Sequence, residues 1–240
     1  MQATDTLVRE MVQKRHRRRR TLVVSLVAAV VVIGAALVGV GLVRATNVMP
    51  DEVPSRVPVA ATDDKAGLLA SSGGVRVDLY LDYLCPECRN TEKALAGELK
   101  KLREGGDVSV VYHPVTFLDN RSSPEGYSTR AASAAACAAD QDRFVEYSTV
   151  LFDRQPAERG PGLSETQLIE AGRDAGITDA AFGECVRAGT YTPWVRYVSD
   201  VAASRKVALT PTVMVDGKRV DVTGADAVGA LTRAVTEARG

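Results

Sequence analysis

From Thr21 to Val43 the chain runs for 23 residues without one charged side chain, and that stretch divides everything else. As a helix rising 1.5 Å per residue it is long enough to cross a hydrocarbon layer of about 30 Å. A cleaved secretory signal carries a shorter apolar core of about 7–15 residues that closes on a small-x-small site, whereas this run ends at Val43-Arg44-Ala45. The expectation is an uncleaved transmembrane helix over 21–43. On its amino side Arg9, Lys14, Arg15, Arg17, Arg18, Arg19 and Arg20 outnumber Asp5 and Glu10. Basic residues beside a span resist translocation, so a short cytoplasmic tail (1–20) and an extracytoplasmic remainder are expected: a single-pass protein of the cell membrane. The whole chain is formally neutral, which leaves the exported part acidic. No aromatic residue interleaves the Lys14–Arg20 run, so it reads as a topology signal facing anionic lipid and not as a nucleic-acid site.

Residues 44–74 contain Pro50, Pro54 and Pro58 among small and charged residues and read as an extracytoplasmic linker. Some twenty residues of such a chain reach up to about 60 Å. The remaining 165 or so residues, 75–240, suffice for one core. Val75, Val77, Leu79 and Leu81 alternate with Arg76, Asp78, Tyr80 and Asp82, the period of a strand. A helical pattern follows through Leu95, Leu99 and Leu102 and stops at Gly105-Gly106. Val108–Tyr112 is a second strand, parallel to the first by default for a strand–helix–strand unit. Only helical patterns occupy about 124 to 207, including the Ala-rich run 131–139, with breaks at 155–163, Gly176 and Gly189. Ser164 with Gln167 suits a capping box. Thr212–Val215 and Arg219–Val222 flank Asp216-Gly217 as a hairpin, and a last helix covers about 225–238. The order βαβ, helical block, ββα defines an α/β or α+β fold with a sheet core.

The chemistry centres on Cys85-Pro86-Glu87-Cys88, at the junction of the first strand and its helix. A thiolate attacks disulfides and a thiol does not. At a helix start, unpaired backbone N–H groups and the helix dipole favour negative charge on Cys85. Pro86 loses nothing at the first helical position, and Cys88 lies one turn on, so the pair can close and reopen. A zinc site needs two further ligands. The two histidines are His16, on the cytoplasmic side, and His113, so a site built from His113 with Cys137 or Cys185 is the weaker reading, and no metal or cofactor is expected.

The segments YLDYLCPECRNTEKAL and VALTPTVMVDGK resemble the DsbA-like thiol:disulfide oxidoreductases, over about 75–240. The resemblance implies a thioredoxin-like fold with an inserted helical domain at about 124–190. It also implies Cys85 as exposed nucleophile, Cys88 as resolving thiol, and Thr210-Pro211, with a cis bond, as the loop that faces them and pairs with extended substrate. Pro86 and Glu87 would tune the couple. Well-known members carry His where this chain has Glu87. Its charge opposes Cys85 ionisation by under ~1 kcal/mol, against about 0.3–1 kcal/mol from the helix terminus, so a milder oxidant is expected. The implied partners are unfolded exported proteins with cysteines and a quinone-linked membrane oxidase of the DsbB or vitamin K epoxide reductase type.

Four cysteines allow three pairings. In an oxidising compartment a Cys137–Cys185 staple is expected, with free buried thiols or a second redox relay as alternatives. Asp82 is a candidate proton acceptor for Cys88. His113 is a candidate proton carrier, though a structural role suits a lone His better. Tyr191, Trp194 and Tyr197 read as one packed helical face. The main functional reading is disulfide donation to exported proteins. Alternatives are a reductase or isomerase, for instance in cytochrome maturation, a copper-handling module, and an inert anchored interaction domain.

Overall fold

The computed structural model describes residues 52–240. The basic tail, the expected span at 21–43 and the first part of the linker lie outside the described residues. Among the described residues no helix is long and apolar enough to cross a membrane.

Five strands form one mixed sheet in the order β1-β3-β2-β4-β5: β1 (Leu68–Ser71), β2 (Val75–Leu81), β3 (Val108–Pro114), β4 (Thr212–Val215) and β5 (Lys218–Val220). β2 and β3 are parallel, with Val77 opposite Val110 and Leu79 opposite Tyr112; the other neighbours are antiparallel. Helix α1 (Pro86–Gly105) makes the crossover between β2 and β3. It begins on the Cys85 cap and ends where Gly106 turns left-handed at φ 76°. Leu95, Leu99 and Leu102 lie on its buried face, and each such side chain stabilises by about 1.5–3 kcal/mol. Helices α2 (Tyr127–Ala139), α3 (Phe144–Asp153), α4 (Glu165–Asp174), α5 (Ala180–Ala188) and α6 (Thr192–Ser204) fill the interval between β3 and β4. The Ala-rich α2 is buried almost throughout, and the small side chains let α3, α5 and α6 approach it. The Ser164–Gln167 capping box opens α4. Helix α7 (Ala227–Ala238) closes the fold against α1 and β4.

Three sequence expectations need correction. The linker does not extend to residue 74: Leu68–Ser71 is an edge strand paired with β3, and Ala61 bridges to Leu68. Gly67 passes so close beneath Val111 and His113 that a Cβ there would lie 2.6 and 2.8 Å from them. The period-two pattern of β2 does not mark a wet face beyond Arg76, which is partly exposed. Asp78, Tyr80 and Asp82 are buried with their apolar neighbours, because β2 is central and covered on both sides. Strand β3 runs two residues past Tyr112, so His113 is inside a strand. Its ring stacks on Tyr80, with Nδ1 2.6 Å from the Ala66 carbonyl and Nε2 2.7 Å from Asp78. Both nitrogens are thus committed to structure.

Trp194 and Tyr197 are on α6, while Tyr191 is its cap residue. They do more than pack. Trp194 donates to the Lys65 carbonyl (2.7 Å) and Tyr197 to that of Asp64 (3.1 Å), and Tyr191 donates to Asp140. With the Arg205–Asp64 ion pair, Trp194 and Tyr197 pin the segment that leads into β1, while Tyr191 holds the end of α2.

Candidate active site

The end of β2 becomes the start of α1 through a tight turn. Asp82 is fully buried. One carboxylate oxygen accepts from the Leu84 amide (2.9 Å) and the Ser128 hydroxyl (2.6 Å), and the other from the Leu118 amide (2.9 Å). This carboxylate ties the turn to the loop after β3 and to α2. The Cys85 amide donates to the Asp82 carbonyl (3.0 Å), and the Cys85 carbonyl then accepts the first helical bonds from Cys88 and Arg89.

Cys85 caps α1, its sulfur accepting from the Cys88 amide at 3.4 Å. The same sulfur lies 3.4 Å from the Thr210 carbonyl oxygen, and the Thr210-Pro211 bond is cis. The sequence motifs separated by more than a hundred residues therefore meet at one atom. Cys88, fully buried, accepts from the Asp82 amide at 3.4 Å. Both cysteines are free thiols, and Cys85, expected to be exposed, is instead buried beneath the Thr210-Pro211 loop at 6% exposure. Hydrogen bonding to Cys88 lowers the Cys85 thiol to about 7, helped by Thr210 and opposed by burial and the Asp82 charge. Burial pushes Cys88 well above the ordinary thiol range, and the neighbouring Cys85 adds to that. The proton thus stays on the inner sulfur while the outer one ionises.

Pro86 and Glu87 are exposed at the start of α1. The Glu87 carboxylate accepts from Asn90 at 3.4 Å. Asp82 is the acidic group that bears on Cys85, and burial raises its own carboxyl to about 6. The carboxylate of Asp82 is committed to three donors, which gives it a structural role in the turn.

Cys137 and Cys185 are joined in a disulfide that links α2 to α5. His113 is engaged by Asp78 and Ala66, so the residues of the weaker zinc reading are not assembled. Among the described residues no group of three or more His, Cys, Asp or Glu side chains could hold a metal ion.

Two residues escaped the sequence reading. Glu92, one turn past Cys88, is buried with Oε2 lacking any hydrogen-bond partner, and burial raises it to about 7. The lone acidic residue among the Leu positions of α1 was the available signal. Gln155, in the loop after α3, donates to the Tyr83 (3.0 Å) and Cys85 (2.9 Å) carbonyls. No spacing rule points to it.

A family model described as Thioredoxin matches residues 70–233. Among solved structures, the chain is similar to reduced DsbA from Mycobacterium tuberculosis, with 30% identity and a TM-score of 0.62 over 73% of this chain and 93% of that one. It is also similar to reduced DsbG from the same organism, with 30% identity and a TM-score of 0.61 over 75% and 86%. BdbD from Bacillus subtilis, at 20% identity and a TM-score of 0.61 over 76% and 98%, shares the fold. The chain belongs to the thioredoxin family, in its DsbA-like branch. Serine/threonine-protein kinase PknE of Mycobacterium tuberculosis is 26% identical over 139 residues, 55% of this chain. The chain spans about a quarter of the length of the curated relatives it matches, 24% of PknE.

Proposed function

We propose that the protein is a membrane-tethered, extracytoplasmic thiol:disulfide oxidoreductase that gives its Cys85–Cys88 disulfide to exported proteins. The observation that carries the reading is the asymmetry of the pair: Cys85 on a helix cap with its thiol at about 7, Cys88 buried and held protonated. A substrate thiolate attacks the Cys85 sulfur, the Cys85–Cys88 bond breaks, and Cys88 leaves with the electron pair and takes up a proton. A second substrate thiolate then attacks the substrate sulfur of the mixed disulfide and expels Cys85 as a thiolate. The substrate loses two electrons and gains a disulfide, and the enzyme is left as the dithiol. A low thiol pKa makes Cys85 the better leaving group in that last step. The cis Thr210-Pro211 loop beside the sulfur supports pairing of an extended substrate with the Thr210 backbone.

Tethering rests on the uncharged run 21–43 and the basic residues before it, and the DsbA-like relationship suggests a membrane oxidase of the DsbB or vitamin K epoxide reductase type to restore the disulfide. A reduction potential for the Cys85/Cys88 couple tests the direction. Equilibration with glutathione should place it well above the roughly −270 mV of a thioredoxin reductant; a value at or below that makes the protein a reductase. Reporter fusions at Gly240 test the topology, and activity confined to the cytosol would overturn it.

A further inference from the structure

The turn that presents Cys85 is gripped from outside the thioredoxin core. Gln155 follows α3, and its side-chain amide nitrogen lies 3.0 Å from the Tyr83 carbonyl oxygen and 2.9 Å from that of Cys85. Two carbonyls accept and cannot donate, so the nitrogen and not the oxygen of the amide must face them. The same helix reaches the turn twice more: Ser148 accepts from the Tyr83 hydroxyl at 3.1 Å, and Phe152 lies against the Tyr83 ring at 4.9 Å between centroids. The Cys85 carbonyl is also the first acceptor of α1. Holding it therefore sets where the Cys85 sulfur stands relative to the Cys88 amide and the Thr210 carbonyl.

We infer that Gln155 is a positioning residue for Cys85, an amide clamp by which the helical insertion holds the redox turn in the geometry that favours the thiolate. This rests on the redox reading of the Cys85/Cys88 pair. The groups that act on the sulfur are Cys88, Thr210 and the Asp82 charge, and Gln155 adds no charge of its own. Replacing it with an uncharged residue therefore leaves the net charge around the sulfur unchanged and removes the two donors that hold the turn.

The test is titration of the Cys85 thiolate by its ultraviolet absorbance and by iodoacetamide alkylation in the reduced full chain. Gln155→Met keeps the length and removes both donors; Gln155→Ala removes the side chain. Loss of a helix-cap contribution corresponds to a midpoint raised by about half a pH unit and alkylation at pH 6 slowed about threefold. Ser148→Ala, which cuts a neighbouring contact from the same helix, should leave both readouts in place. An unchanged midpoint in folded Gln155→Met and Gln155→Ala, or an equal shift in Ser148→Ala, overturns the clamp. The titration needs no substrate, so it stays readable even where peptide oxidation by the wild-type chain fails, the result that would sink the functional reading instead.

Discussion

The molecule carries two cysteine pairs, and exposure does not tell them apart. Cys185, in the closed pair, is only partly buried, whereas Cys85 is 6% exposed and Cys88 not at all. What separates them is the local arrangement. Cys85 stands on a helix cap with an amide donor at its sulfur, a thiol one turn away and a cis-proline loop beside it. Cys137 lies within the buried Ala-rich α2, and its partner arrives from α5, 48 positions later. A short ring at the end of a strand can open and close with little change elsewhere. A long ring that joins two helices holds the insertion together and, by restricting the unfolded chain, stabilises by about 4 kcal/mol against about 2 kcal/mol for the short one. Reactivity here follows from donors and loop length, and burial alone predicts neither.

The comparison breaks most sharply at Cys85. Cys85→Ser should reduce peptide-thiol oxidation to the uncatalysed rate without loss of fold, measured by a fluorescent dithiol peptide; retained turnover would mean the wrong pair has been assigned to exchange. Next comes the staple. Replacing Cys137 and Cys185 with Ala should cost about 4 kcal/mol in urea unfolding yet leave the Cys85/Cys88 potential in place.

Burial without a partner can be isolated at Glu92. Its carboxyl is raised from 4.5 to about 7 in the fold, so the native state binds the extra proton, and stability present below about pH 4.5 is lost as pH rises through 7. Glu92→Gln should remove that slope and stabilise the protein at pH 8 by about 3 kcal/mol, read from urea midpoints at pH 5 and pH 8. Asp82 has the same sign over a lower window, from 3.8 to about 6, and its charge opposes Cys85 ionisation. Asp82→Asn should therefore lower the Cys85 titration midpoint, and a rise would show that the carboxylate serves Cys85 only by shaping the turn. The smallest effect is expected at Glu87, which is exposed and bonded to Asn90. Glu87→His should raise the reduction potential by about 20 mV or less, from a charge term under ~1 kcal/mol. A potential that does not move removes Glu87 from the account of redox tuning.

Parts of the site could be read without a structure because they depend on neighbours in the chain. A Cys cap, Pro86 at the first helical position and Leu95, Leu99 and Leu102 at helical spacing define α1 locally. The Asp216-Gly217 turn likewise announces β4 and β5, which pair as expected although β5 stops at Val220. Strand β1 was illegible. Leu68–Ser71 is four residues without alternation, next to a proline-bearing segment, and it is a strand because β3 offers an edge. Asp78 and Tyr80 misled for a related reason: alternation assumes one wet face, and on β2 Arg76 alone keeps partial exposure.

The order of the elements from β2 onward, the helix start beneath Cys85 and the presence of two further cysteines in the helical block follow from the amino-acid sequence alone, since propensity, period and spacing are local properties. Tertiary structure decided which sulfur meets the Thr210 carbonyl, which carboxylate reaches the turn, and that an amide from the loop after α3 holds it. Those contacts join residues dozens to more than a hundred positions apart or sit in a turn shaped by such contacts. Their energies depend on burial and on hydrogen bonds of about 3 Å that exist only once the sheet and the helical insertion have packed.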